Sequence, residues 1–249
     1  MKVFKIAIAA LLAAGFFALI PLYVVKRQAL LTTIGCDAQH PRSLHIVVID
    51  ASDPYDRVDA NRVTQQVRER LAAQSQATHF VLLRPNDDNA YEPIEATAGC
   101  VGPELPDSSA YLMSHADQSA YRKGREEALA MVEKGTQELL KAGPLRTSPL
   151  LETTIAISKR HDLRTAANVA LVYYSDMEQN SASLSVYGQD GAQQTLSAES
   201  LEEVSLRNAR VEVNRIVRRS HLGLGQAKRL QDMWTTWFTR SEATTEWSK

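Results

Sequence analysis

The stretch that decides the fold is Leu44-His45-Ile46-Val47-Val48-Ile49-Asp50-Ala51-Ser52-Asp53-Pro54-Tyr55-Asp56. Leu44 to Ile49 is a nearly continuous apolar run rich in β-branched residues, as expected of a strand buried on both faces of a parallel sheet. It stops abruptly at Asp50, Ser52 and Asp53. In an open α/β sheet the ligand crevice lies beyond the carboxyl ends of the strands, so hard oxygen donors there point to a Mg²⁺-type or Ca²⁺-type site. A purely structural reading stands beside this one, in which Ser52 and Asp53 cap the helix that follows.

Outward from this strand, Asp56 to Gln74 carries Val58, Val63, Val67 and Leu71 at helical spacing among charged residues, which predicts an amphipathic surface helix. Thr78 to Arg84 then reads as a second buried strand, stopped by Pro85 and the turn cluster Asn86-Asp87-Asp88-Asn89. Strand, helix and strand in close succession form the βαβ signature of a parallel sheet. Residues 90–108 are rich in Pro and Gly and predict an irregular excursion with one short strand around Ile94. A long helix is expected from Ser109 or Asp117 to Lys141, ended by Gly143-Pro144. Its run Arg122, Lys123, Arg125, Glu126, Glu127 is a solvated face.

Thr147-Ser148 precede Pro149, which opens a helix running to about Arg160. Ala167 to Tyr174 predicts a third strand, and it too ends in oxygen donors: Ser175, Asp176, then Glu178, Gln179 and Asn180. Gly188 and Gly191 mark a loop, and Ala198 to Val204 a short helix. Ala209 to Val217 alternates Val211, Val213 and Ile216 with Arg210, Glu212 and Arg215, a strand with one wet face near the sheet edge. Gly225 to Arg240 is a closing helix whose Leu230, Trp234, Trp237 and Phe238 form a face for packing on the sheet. The domain therefore spans residues 44–240, with 241–249 as a tail.

The chain has 249 residues, a formal net charge of −1 and 6% aromatic residues, so neither a basic surface nor a stacking platform favours a nucleic-acid partner. Its N-terminus departs from globular composition. Lys2 and Lys5 precede the apolar run Ile6 to Val25, closed by Lys26 and Arg27, and a helix of that length spans roughly 30 Å, the thickness of a bilayer core. Bulky Leu22, Tyr23, Val24 and Val25 up to the charges favour an uncleaved anchor over residues 1–27 rather than a cleaved signal peptide. A lipoprotein reading would use Thr33-Ile34-Gly35-Cys36, but Thr33 stands where an aliphatic residue is expected. Residues 28–43 read as a polar tether. Basic residues flank the apolar run on both sides, so charge alone does not orient it. The two cysteines, Cys36 and Cys100, follow the anchor. On the periplasmic side of an inner membrane they are expected to pair; the alternative is two unrelated buried thiols.

Asp50-Ala51-Ser52-Asp53-Pro54 after a buried strand, Thr147-Ser148-Pro149-Leu150 opening a helix, and Tyr174-Ser175-Asp176 ending a later strand together resemble the von Willebrand factor A domain and its metal-ion-dependent adhesion site. The resemblance covers about residues 44–240 and implies a doubly wound, mostly parallel sheet with helices on both faces, in a membrane-anchored bacterial protein. It assigns Asp50 and Ser52 to the first motif, Thr147 or Ser148 to the hydroxyl position and Asp176 to the last. The cation it implies is Mg²⁺, with Mn²⁺ or Ca²⁺ as alternatives. Pro54 departs from the family pattern, standing where a second serine would supply an oxygen.

The function the resemblance implies is a binding module, in which a protein partner presents an acidic residue that completes the metal shell. No G-x-S-x-G elbow, phosphate loop or Cys/His cluster points elsewhere. His45, the histidine closest in sequence to Asp50, lies inside the first strand, where a core role is expected. A metal-assisted phosphohydrolase using Asp50 and Asp176 is the enzymatic alternative, weakened because Ser52 occupies the position where a second acid would be wanted. The third reading keeps the fold as a metal-free scaffold, with Asp50 and Asp176 as caps or ion-pair partners.

Overall fold

In the computed structural model, residues 21–105, 111–187, 204–207, 209–216 and 224–248 are described. The expected anchor, residues 6–25, lies mostly outside them, as does the short helix expected at 198–204. No helix among the described residues is long and apolar enough to cross a membrane.

Residues 21–34 are helical (α1). β1 (Ser43–Ile49) is buried at every position. It is followed by α2 (Arg57–Ala72), β2 (Thr78–Arg84), β3 (Ile94–Val101), α3 (His115–Lys141), α4 (Leu150–Ser158), α5 (His161–Thr165), β4 (Asn168–Ser175), β5 (Arg210–Arg215), α6 (Leu224–Arg240) and β6 (Thr244–Ser248). The six strands form one sheet in the order β3-β2-β1-β4-β5-β6. Only β2 and β3 pair antiparallel, so this is a doubly wound α/β sheet with one reversed edge strand. Its direction of winding reverses between β1 and β4.

The continuous apolar run of β1 is explained by its position at the centre of the sheet. Leu44, Ile46 and Val48 pack with Leu150, Ile155, Leu163, Trp234 and Phe238 beneath α4, α5 and α6. Val47 and Ile49 face the other way, onto Val63, Val67 and Leu71 of α2 and Leu129, Val132 and Leu139 of α3. Each such apolar side chain contributes about 1.5–3 kcal/mol on burial, so a polar replacement of any of these five would weaken one of two cores. Gly135 lets α3 lie close over the sheet, since a Cβ there would come within 2.4 Å of Thr97 Cγ2 and 3.1 Å of a Leu82 methyl.

Several segments differ from the sequence reading. The tail is a strand: β6 pairs with β5 in parallel register and becomes the sheet edge, moving β5 one place inward. The stretch read as a tether continues α1 to residue 34, with Leu30 packed against Leu105 and Leu112 and the Ala77 N–H donating to the Thr33 carbonyl at 2.9 Å. The excursion after β2 returns as the full-length strand β3, and a separate helix, α5, follows α4. The two cysteines do pair: Cys36 and Cys100 form a disulfide that joins the chain just after α1 to the end of β3.

Candidate functional site

Asp50 follows the last residue of β1, and its N–H donates to the Tyr174 carbonyl at 3.0 Å, extending the β1–β4 pairing by one bond. The register sets Ile49 beside Tyr174, so the next residue of each strand, Asp50 and Ser175, are neighbours at the point where the sheet reverses. The Ser175 hydroxyl donates to Asp50 Oδ2 at 2.7 Å and accepts the Met177 N–H at 2.8 Å. The Ser148 hydroxyl donates to the same Oδ2 at 3.0 Å, and the Ser52 N–H donates to Oδ1 at 3.0 Å. Asp50 is fully buried, with Ser148 and Ser175 nearly so. One carboxylate thus gathers β1, β4 and the entry to α4.

The helix cap after β1 is Asp56, whose side chain accepts the Asp59 N–H at 2.8 Å; neither Ser52 nor Asp53 caps α2. Tyr55 braces the same turn, its hydroxyl donating to the carbonyls of Asp50 at 3.0 Å and Tyr174 at 3.3 Å. Asp176 Oδ1 accepts the Glu178 N–H at 2.9 Å, and Met177 between them has φ +64°, which turns the chain back on itself. That turn is held by the Trp234 indole of α6, which shares a core with Met177 and donates to its carbonyl at 2.9 Å.

The two hydroxyl candidates separate. Ser148 belongs to the Asp50 cluster, whereas the Thr147 hydroxyl donates to Asp87 Oδ1 at 3.0 Å. Asp87 also accepts the N–H groups of Arg146 at 2.8 Å and Thr147 at 3.2 Å. Burial acts to raise the Asp87 pKa, but these donors and the Arg146 charge outweigh it and hold the carboxyl below its usual value. Ser148 is further fixed by a pair of backbone hydrogen bonds with Asn180, at 2.7 and 3.0 Å. Pro149 begins α4 without a side-chain cap. Gln179 supplies that role from a distance, accepting the Leu151 N–H at 2.8 Å while its amide donates to Glu152 at 3.0 Å.

The electrostatic character of the crevice is negative. The Tyr187 hydroxyl donates to Glu178 at 2.7 Å, and its pKa is driven far up by burial, by that bond, and by the charges of Glu178, Asp176 and Asp53. The charges of Glu178, Asp176 and Asp53 thus all act on Tyr187, while Thr147 is drawn off to Asp87. His45 is buried in β1, and desolvation, reinforced by the Arg70 and Arg210 charges, pushes its pKa down to about 4, so it is neutral at physiological pH.

Ser175 and Asp87 are the site residues the sequence reading left out of its ligand set. Parallel pairing of β1 with β4 would have found Ser175, because it is the residue opposite Asp50. Asp87 carries no local signal, since its contacts lie some sixty residues away in Arg146 and Thr147.

As a cation site, the donor set fits in kind. Each serine hydroxyl that donates to Asp50 retains an oxygen lone pair that a hard cation can use, and neutral oxygen beside carboxylate is chemistry suited to Mg²⁺ or Ca²⁺. Among the described residues no three His, Cys, Asp or Glu side chains come together as metal donors, so hydroxyls and water would have to complete any shell. Comparison of the chain with protein families, curated proteins and solved structures found no match.

Proposed function

We propose that the chain is a membrane-anchored binding module of the von Willebrand factor A type, which engages an acidic residue of a protein partner at the crevice beyond β1 and β4. The observation that carries this reading is the convergence of Ser148 and Ser175 on Asp50 at the point where the sheet reverses, with Asp176 on the adjacent residue of the same strand end. The strand order and the single antiparallel edge strand support it. Asp50, Ser52, Ser148 and Asp176 would hold a divalent cation, Mg²⁺ first, with Ser175 fixing the Asp50 carboxylate. The ion would supply a Lewis-acid position for the partner's carboxylate. In this reading Asp87 keeps Thr147 out of the shell and aims Ser148 into it.

The crevice lies at the opposite end of the strands from α1, so a chain anchored through residues 6–25, in the inner membrane with its domain in the periplasm, presents the crevice away from the bilayer.

A second reading has a specific observation in its favour. Asp50 Oδ1 and Oδ2 already accept three protein hydrogen bonds, which satisfies a buried carboxylate without any ion. The constellation is then a latch joining β1, β4 and α4 in a metal-free scaffold. Hydrolase chemistry through Asp50 is disfavoured by the same three donors and by its complete burial.

Calorimetric titration of the full chain in mild detergent with Mg²⁺, Mn²⁺ and Ca²⁺, beside Asp50→Asn, Ser148→Ala and Asp176→Ala, separates the two readings. Saturable binding by the parent that is lost in folded variants is the expected result. A folded parent that binds none of the three ions leaves the latch as the role of these residues.

A further inference from the structure

The disulfide stands in chemical surroundings that a purely structural bridge does not require. Cys100 on β3 is the cross-strand partner of His79 on β2, and His79 Nδ1 lies 3.8 Å from Cys100 Sγ. On the other side of the ring, Asp162 Oδ2 at the start of α5 lies 3.9 Å from Nε2. Arg160 holds that carboxylate at 2.8 Å and reaches Glu95 at 3.1 Å. The two sulfurs differ in access: Cys36 is exposed, while Cys100 is half-buried beside the buried imidazole. A cleft of about 360 Å³ opens onto Cys36, lined by Leu31, Asp37, His40, Arg42 and Ala77, large enough for a thiol-bearing side chain.

We propose that Cys36–Cys100 is an exchangeable clasp, in which an external dithiol attacks the Cys36 sulfur through this cleft and Cys100 departs as a thiolate served by His79. Thiolate attack proceeds fastest on the accessible sulfur and when the leaving thiol is stabilised, and the structure divides these two roles between the two cysteines. In the first step the new bond joins the reductant's sulfur to Cys36, the Cys36–Cys100 bond breaks, and its electron pair goes to Cys100. The Cys100 thiolate has the His79 ring nitrogen 3.8 Å away as a hydrogen-bond partner and takes its proton from solvent. In the second step the reductant's other thiolate attacks its own sulfur in the mixed disulfide and releases Cys36. In sum, the dithiol loses two electrons and two protons and becomes a disulfide, and Cys36 and Cys100 become thiols.

His79 stands beside the leaving sulfur as a hydrogen-bonding ring rather than as an imidazolium. Burial lowers its pKa, Asp162, the Gly99 carbonyl and Glu95 pull it back up, and Arg160 opposes them, leaving a net lowering. The clasp is a covalent cross-link from the end of α1 to β3. After exchange, α1 would keep its packing through Leu30 and Ile34, the bond from Ala77 to Thr33 and the chain's own run into β1.

The test treats the folded full chain in mild detergent with the monothiol 2-mercaptoethanol, quenches with iodoacetamide and locates the adducts by peptide mass spectrometry. The expected product carries mercaptoethanol on Cys36 and the alkyl group on Cys100, a result that needs no variant. In parallel, reduction by dithiothreitol at neutral pH is followed for the parent and for His79→Gln, with circular dichroism confirming that both are folded. With the histidine's hydrogen bond to the leaving thiolate removed, the variant is expected to be reduced several-fold more slowly. Mercaptoethanol on Cys100, equal rates in the two folded proteins, or a disulfide that yields only in denaturant would each overturn the proposal.

Discussion

The two ends of the sheet are held by opposite kinds of force. At the end where β1 and β4 stop, a single buried carboxylate gathers serine hydroxyls from β4 and the α4 entry. At the other end, about 23 Å away along a seven-residue strand, α1 is fastened by a disulfide and the apolar contact of Leu30 with Leu105 and Leu112. Hydroxyl–carboxylate bonds exchange readily for water, an ion or a partner's oxygen. A disulfide yields only to a thiol, and an apolar contact to no polar substitute. The contrast separates an end whose polar contacts suit the proposed binding role from an end where α1 is fixed to the sheet.

The largest effect expected from breaking this contrast is at the fixed end. Replacing both cysteines by serine removes a cross-link between residues separated by 64 positions, and on the chain-entropy account the fold loses about 4 kcal/mol. Urea denaturation of the full chain should show a lower midpoint, with the α1-proximal amides exchanging fastest. At the polar end, Asp50→Ala leaves the buried Ser148 and Ser175 hydroxyls without their acceptor, at a cost of roughly 3 kcal/mol. If this loss equalled or exceeded that of the cysteine pair, the polar end would be the principal fastening and the contrast would fail. A smaller loss, about 1 kcal/mol, is expected of Trp234→Phe, which keeps the stacked contact with Phe238 but gives up the hydrogen bond to Met177. Its sharper readout is cation titration, since the turn carrying Asp176 is what that bond holds.

The smallest effect is one of pH. Asp87 has a lowered pKa in the folded state, so the stability it contributes is fully present above the ordinary carboxylate value of about 4 and is lost as pH falls through the folded value. Hydrogen exchange at the Arg146 and Thr147 amides should accelerate in acid in the parent, while Asp87→Asn should show fast exchange at neutral pH already. The apolar contact of Leu30 with Leu105 and Leu112, which involves no titrating group, should not share that acid response.

Regions of the chain differ in how far they were legible in advance. β1, α2 and β2 were readable because each is specified by its own pattern, a mostly apolar run for the central strands and a helical period for α2. The oxygen donors Asp50 and Asp176 were readable because they terminate such runs. β6 was not, since Thr244-Thr245-Glu246-Trp247-Ser248 has no apolar run and becomes a strand only by pairing with β5. The Thr147–Asp87 contact and the His79–Cys100–Asp162 group were equally hidden, because each unites residues far apart in sequence.

By itself, then, the sequence determined an α/β sheet with buried central strands ending in carboxylates, a strongly apolar N-terminal run and two cysteines able to pair, because periodicity and strand termination are local properties. Only the tertiary structure decided that Ser148 rather than Thr147 meets Asp50, that Ser175 joins them, and that the disulfide has a histidine beside one sulfur and an open cleft beside the other. Those outcomes depend on strand register and on which loops converge, and register is fixed by the packing of two cores at once.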